Sequence, residues 1–238
     1  MNPIYIYYHI AQMNDWREVV VEQVTKLQES GLYNEAIKIR VGVVGIQDLP
    51  NFPEKFEIMF HNPCLKLAEI PTLNALHQRA LKEDFIVLYM HTKGVSWKEQ
   101  GYNRECMIAW RRYLEHFCIG HWKECVALLR ECDASGCEYM EPRDAGSGIL
   151  PSYFSGNFWW SKSSYLRKLP RVTDIEIPLK KPRRKAEYWL RSNPEFKAMS
   201  VFNLKKECRE RGYLYSHVLD PRLYSVIGKS NEMQPILH

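Results

Sequence analysis

The chain has 238 residues, 45% hydrophobic, 13% aromatic and 26% charged, a soluble globular composition whose aromatic content excludes intrinsic disorder. Its longest apolar runs, such as residues 85–90, fall far short of the roughly 18 that cross a bilayer, so no membrane span is expected. The net charge of +5 and a pI near 8.7 are compatible with a general anion preference but do not choose between phosphate, nucleic acid and neither, and they fall below the strongly basic balance, with a pI above about 9, of most nucleic-acid binders.

Residues 4–8 are a β-branched and aromatic run, which predicts a first strand reached without a basic leader or cleavage site. Asp15 and Glu18 form a capping-box pattern ahead of Trp16, Val19, Val20, Val24 and Leu27 at helical spacing, with Gly31 as the stop. Residues 37–44 predict a second strand and residues 56–60 a short third. Leu73, Leu76, His77 and Ala80 give the next helix its apolar stripe, and residues 85–90 predict a fully buried strand.

Strands alternating with helices predict an α/β fold with a mainly parallel central sheet. In such sheets ligands bind outside the strand C-termini. The residues after each predicted strand are therefore candidates: His9; Gln47 and Asp48; His61 and Asn62; His91, Thr92 and Lys93. Every exit carries hydrogen-bonding groups, which favours a ligand cleft over a purely structural role.

The second half reads differently. Residues 103–130 predict a long helix with Met107, Trp110, Leu114, Phe117 and Cys118 on one face, followed by a break at 133–136 and a strand at 137–140. A glycine-containing loop spans 141–151. Residues 153–160 are strand-like but interrupted by Gly156, residues 161–169 are helical up to Pro170, and short helices are expected over 184–191 and 204–211. No internal repeat or linker divides the chain, so one domain over 1–238 is expected, with a nucleotide-binding half at about 1–100 and an acceptor or catalytic half at about 101–238. The seven cysteines are irregularly spaced without a Cys-x-x-Cys pair, and Cys118, Cys125 and Cys132 are read as small buried hydrophobes rather than metal ligands. Reduced thiols without a leader predict a cytoplasmic protein.

Three constellations are candidates for chemistry. His91-Thr92-Lys93-Gly94 joins a cation, a hydroxyl and a backbone amide that suit a diphosphate, or is a solvated strand exit. In residues 154–160, Gly156 suggests a close backbone approach, Asn157 both donates and accepts, and the aromatic residues are either sugar platforms or core. Glu187 lies in an apolar helical turn, where it is either a general base tuned by burial or a solvated glutamate. The basic residues Lys180, Lys181, Arg183, Arg184 and Lys185 are a phosphate clamp, a solvated loop or a weak nuclear-localisation signal. Dinucleotide-fold, P-loop, nucleophile-elbow and His-Glu-x-x-His patterns do not occur.

The order Leu-Tyr-Met-His-Thr-Lys-Gly, Ser-Gly-Asn-Phe-Trp-Trp, Ala-Glu-Tyr-Trp-Leu resembles a group of GT-A-like glycosyltransferases over residues 4–190. Relatives of that group occur in bacterial polysaccharide and rhamnan synthesis and in large DNA viruses that glycosylate their own capsids. The resemblance implies a GT-A-like (Rossmann-like) sheet flanked by helices and a hexosyl- or pentosyltransferase working in glycan biosynthesis. Its substrates would be a UDP- or GDP-linked sugar and a glycan hydroxyl, with no nucleic-acid partner. His9 would lie near the nucleoside and Asp48 near the base or ribose. His91, Thr92 and Lys93 stand where many GT-A enzymes carry a metal-holding Asp-x-Asp; with no carboxylate there, Lys93 would neutralise the diphosphate. No cofactor is then required, and dependence on a divalent metal such as manganese would be weak or absent. Ser155, Gly156 and Asn157 would border the donor sugar, and Trp159 the acceptor. Glu187 matches the acidic residue that deprotonates the acceptor in inverting enzymes, and His217 with Asp220 would close the site. The alternative is a non-catalytic carbohydrate- or nucleotide-binding module, which the missing Asp-x-Asp keeps open.

Overall fold

The computed structural model describes residues 2–97, 101–144, 149–177, 182–204, 213–225 and 236–237. Seven strands form the central sheet: β1 (Ile4–Ala11), β2 (Ala36–Val44), β3 (Phe56–Asn62), β4 (Ile86–His91), β5 (Ala134–Cys137), β6 (Trp159–Lys162) and β7 (Ala198–Phe202). Their order across the sheet is β3-β2-β1-β4-β6-β5-β7, and Ile236–Leu237 adds a short antiparallel edge to β7. β6 alone among the seven runs against its neighbours β4 and β5. The expected α/β, mainly parallel architecture is therefore present, with this one reversal.

Alternation along the strands feeds two cores. Ile4, Ile6, Tyr8, Ile10, Leu88, Met90 and Trp160 face one side, where α1 (Trp16–Glu29), α3 (Tyr102–Glu115) and α4 (Trp122–Leu128) cover them. Tyr5, Tyr7, Val87, Tyr89 and Trp159 face the other, against α2 (Ile70–Ala80) and Trp189. Each side chain lands opposite its chain neighbour because the strand period is two. Helices on both faces follow, since neither face could be left wet.

Several local expectations change. β1 continues to Ala11, so His9 pairs with His91 and Gly42 inside the sheet rather than lying at an exit. The capping box does not form: no side-chain cap bond is made at Asp15, whose carboxylate instead pairs with Arg104 at the start of α3. The expected helix over 103–130 is broken by a π-helical turn at His116–Gly120. The strand expected over 153–160 is two strands. Tyr153–Phe154 pairs with Tyr139–Met140, and the chain turns at Gly156 and Asn157 before entering β6. Residues 205–211 of the last expected helix lie outside the described residues. Cys118, Cys125 and Cys132 are buried, as their spacing suggested.

A charged cluster also sits inside the fold. Glu115 is 3% exposed and lies 3.5 Å from the Arg111 Nε. Arg111 also pairs with Glu22, which is shared with Arg112. Burial pushes the Glu115 carboxyl up to about 7 against the pull of Arg111. A raised carboxyl binds a proton more tightly folded than unfolded, so its stabilisation is complete below the unfolded value and is lost as pH rises through about 7. Urea melts at pH 5 and pH 8 should therefore show Glu115→Gln losing less stability than the wild type across that interval; equal losses would refute the assignment.

Candidate functional site

The polar groups converge at the C-terminal edge of the parallel strands. Because β6 is reversed, its entry turn, not its exit, meets that edge. Gly156 adopts φ +93° and Asn157 φ +55° in this turn. The first is a conformation in which glycine has no steric penalty; the second is one that asparagine visits more readily than most residues. The turn aims two groups at the neighbouring strands. The Gly156 carbonyl accepts a hydrogen bond from His91 Nε2 at 2.9 Å, and Asn157 Nδ2 donates to Glu69 Oε2 at 2.7 Å. A carbonyl only accepts, so His91 carries its proton on Nε2.

Glu69 is the centre of this arrangement. It immediately precedes α2, whose first turn contains Pro71. Its Oε2 also accepts the Tyr89 hydroxyl at 2.6 Å. Burial works against its ionisation, but the fields of His91 and His9 and the bonds from Tyr89 and Asn157 outweigh it and hold the carboxyl below its usual range. Burial pushes His9 down to about 4 and lowers His91 as well, so both imidazoles are neutral at pH 7 and the two hydrogen bonds matter most there.

Lys93 follows β4 and lies 3.6 Å over the centre of the Trp110 ring. Burial pushes its ammonium down to about 8, against the attraction of Glu187 and Glu69. A desolvated ammonium held over an indole face, with no carboxylate paired to it among the described residues, retains N–H donors for a ligand. Glu187, in the short helix Lys185–Tyr188, is shifted the other way from Glu69: burial, then the Glu69 charge, raise it, while Lys93, Arg184 and Arg183 pull it down. Among the described residues no ion pair joins Lys93 to either carboxylate. One cation and two carboxylates thus act on one another at this sheet edge without an ion pair between them.

The remaining candidates fall into three groups. His9, Thr92 and Ser155 build the frame. His9 is 2% exposed, with Nδ1 2.9 Å from Thr72 Oγ1, so its ring lies inside the fold rather than at the open edge. Thr92 is 3% exposed and its Oγ1 accepts the Ala11 amide at 3.0 Å, and the Ser155 amide donates to the Glu138 carbonyl at 2.8 Å. Trp159 is corrected to a core residue: it is 1% exposed, stacks on Tyr89 at 5.0 Å and donates from Nε1 to Asn157 Oδ1 at 2.9 Å. No ring face is left for an acceptor, but the bond orients Asn157. Asp48 is exposed, as is its neighbour Gln47, which exchanges hydrogen bonds with Gln12 and accepts from Trp16 Nε1 at 2.9 Å.

His217 is exposed, stacks on Tyr213 at 4.3 Å and bonds Ser216, while Asp220 pairs with Arg222. It is Tyr215 of the same segment that reaches the site, edge-on to Trp110 at 4.6 Å. Of the basic run, Arg183 and Arg184 act on Glu187, Lys185 bonds the Thr173 carbonyl at 2.7 Å, and Lys180 and Lys181 lie outside the described residues. Among the described residues no three ligating side chains cluster, Glu69 Oε2 is already committed twice, and the Lys93 charge would oppose a metal.

No protein-family model matches the sequence, and no curated protein matches it. Among the described residues no helix is long and apolar enough to cross a membrane.

Proposed function

We propose that the chain is a glycosyltransferase that moves a sugar from a UDP- or GDP-linked donor to a glycan hydroxyl with inversion. The observation that carries this reading is the trio of Lys93, Glu69 and Glu187 at one sheet edge, where their charges act on one another. Two carboxylates driven apart in proton affinity are a mark of divided acid–base roles. Glu187, the more basic, takes the proton of the acceptor hydroxyl. The acceptor oxygen then bonds to the anomeric carbon as the bond to the diphosphate breaks. The nucleoside diphosphate leaves with the bonding pair, its added charge met by the Lys93 ammonium. The mainly parallel sheet supports the reading because open α/β sheets take ligands at this edge. With Lys93 in that role, weak or absent metal dependence is expected.

The residues after β4 contain no carboxylate, and this favours a second reading, a binding module without transfer. Incubation with UDP- and GDP-linked sugars and glycan acceptors separates the two. Thermal stabilisation with release of nucleotide supports transfer, stabilisation alone supports the module, and no response to any nucleotide sugar defeats both.

Lys93→Met should weaken nucleoside-diphosphate binding by roughly 10- to 100-fold, the range for a lost charged hydrogen bond. In the wild type, affinity should fall as pH rises through about 8, because the ammonium that binds the anion loses its proton there. Calorimetric titration between pH 7 and pH 9.5 checks both; a flat profile would count against Lys93.

A further inference from the structure

We propose that Glu69 reads a hydroxyl of the donor sugar and so determines which sugar the site takes; this rests on the glycosyltransferase reading above. Both internal bonds to the carboxylate, from Tyr89 and Asn157, end on the same oxygen, Oε2. Among the described residues nothing donates to Oε1, and that atom is not among the buried polar atoms lacking a partner. Oε1 is therefore reachable from outside the fold, on a side chain fixed at its other oxygen. An ionised carboxylate only accepts hydrogen bonds, so the group it selects must donate. Phosphate oxygens are excluded from this end of the site, and hydroxyls are favoured.

The position agrees with a sugar. The Glu69 charge is felt both by Lys93, which would meet the diphosphate, and by Glu187, which would meet the acceptor. In a transfer reaction the donor sugar lies between these two partners. The clamp is also well supported, since Asn157 is itself held by Trp159 and the Glu69 bond to Asn157 spans 88 positions of sequence. An acceptor fixed in this way discriminates strongly, because a sugar lacking the matching hydroxyl leaves a desolvated carboxylate oxygen unpaired.

Glu69→Gln is a clean test. The amide oxygen of the replacement can keep both bonds now made to Oε2, and only the open oxygen becomes an NH2 donor. Wild type and variant are titrated calorimetrically with UDP- and GDP-linked hexoses, their monodeoxy analogues, and UDP and GDP alone. For the preferred donor, one monodeoxy analogue should bind wild type on the order of 10- to 100-fold more weakly. The variant should bind the intact donor more weakly and discriminate against that monodeoxy analogue less than wild type, because its NH2 makes only a neutral bond to the hydroxyl, while UDP or GDP alone binds it no more weakly. Discrimination by the variant as strong as by wild type, or a wild type indifferent to every monodeoxy analogue, overturns the role of Glu69 and leaves the glycosyltransferase reading standing. A wild type that binds no nucleotide sugar overturns both. The wild-type arm decides the question even without a folded variant.

Discussion

Glu187→Gln is expected to lower the turnover of sugar transfer by about 10²- to 10⁴-fold, the usual contribution of a positioned general base, while donor binding is retained. Glutamine fills the same volume and cannot take the proton. The pH profile carries the stronger information. Burial and the Glu69 charge raise the Glu187 carboxyl, so the wild-type rate should rise with pH through a value above that of an ordinary glutamate. It should fall again through about 8 as Lys93 loses its proton. Because these groups interact, the two limbs report apparent values of the cluster. The variant should lose the acid limb and keep the alkaline one. Near-wild-type turnover in a folded variant would remove Glu187 from the mechanism.

The second large effect is structural. Gly156→Ala should destabilise the protein by roughly 2–6 kcal/mol, combining backbone strain and overpacking at about 1–3 kcal/mol each. A Cβ at Gly156 would stand 2.5 Å from Leu114 Cδ1 and 3.3 Å from Trp110 Nε1, on a backbone with φ +93°. Leu114 is fully buried, so it has little room to give. That loss is a large fraction of the roughly 5–15 kcal/mol that holds a typical domain folded. The same change displaces the carbonyl that receives His91 and the turn that carries Asn157. Equilibrium unfolding in urea measures the loss; an unaltered midpoint would mean that the turn relaxes freely.

Much of the frame was legible in sequence because β1, β2 and β4 are runs of β-branched and aromatic residues bounded by polar ones. β5 was not, because Ala-Ser-Gly-Cys has little intrinsic strand preference and is extended by its pairing between β6 and β7. In the site, Lys93, Asn157 and Glu187 were visible as polar residues in apolar or glycine-bearing contexts. Glu69 was missed. The apolar stripe suggested a helix from Leu73, whereas Pro71 in the first turn marks a start at Ile70, leaving Glu69 at the sheet edge. Its partner Asn157 is remote in sequence, and no local pattern announces such a contact. The reading of Trp159 failed for a related reason: strand alternation sends one of two adjacent tryptophans to each face, and both faces of this sheet are covered.

The reversed strand has a consequence for how the chain must be made. β6 pairs along β4 through Trp159 opposite Tyr89 and Trp160 opposite Leu88. Until it arrives, β4 offers a row of unpaired backbone groups flanked by apolar side chains, the kind of edge that recruits strands from other molecules. A fragment ending near residue 100 would keep that edge open. Residues 1–100 and the strands that follow them are thus one unit of folding, and expression of the first hundred residues alone should yield aggregates.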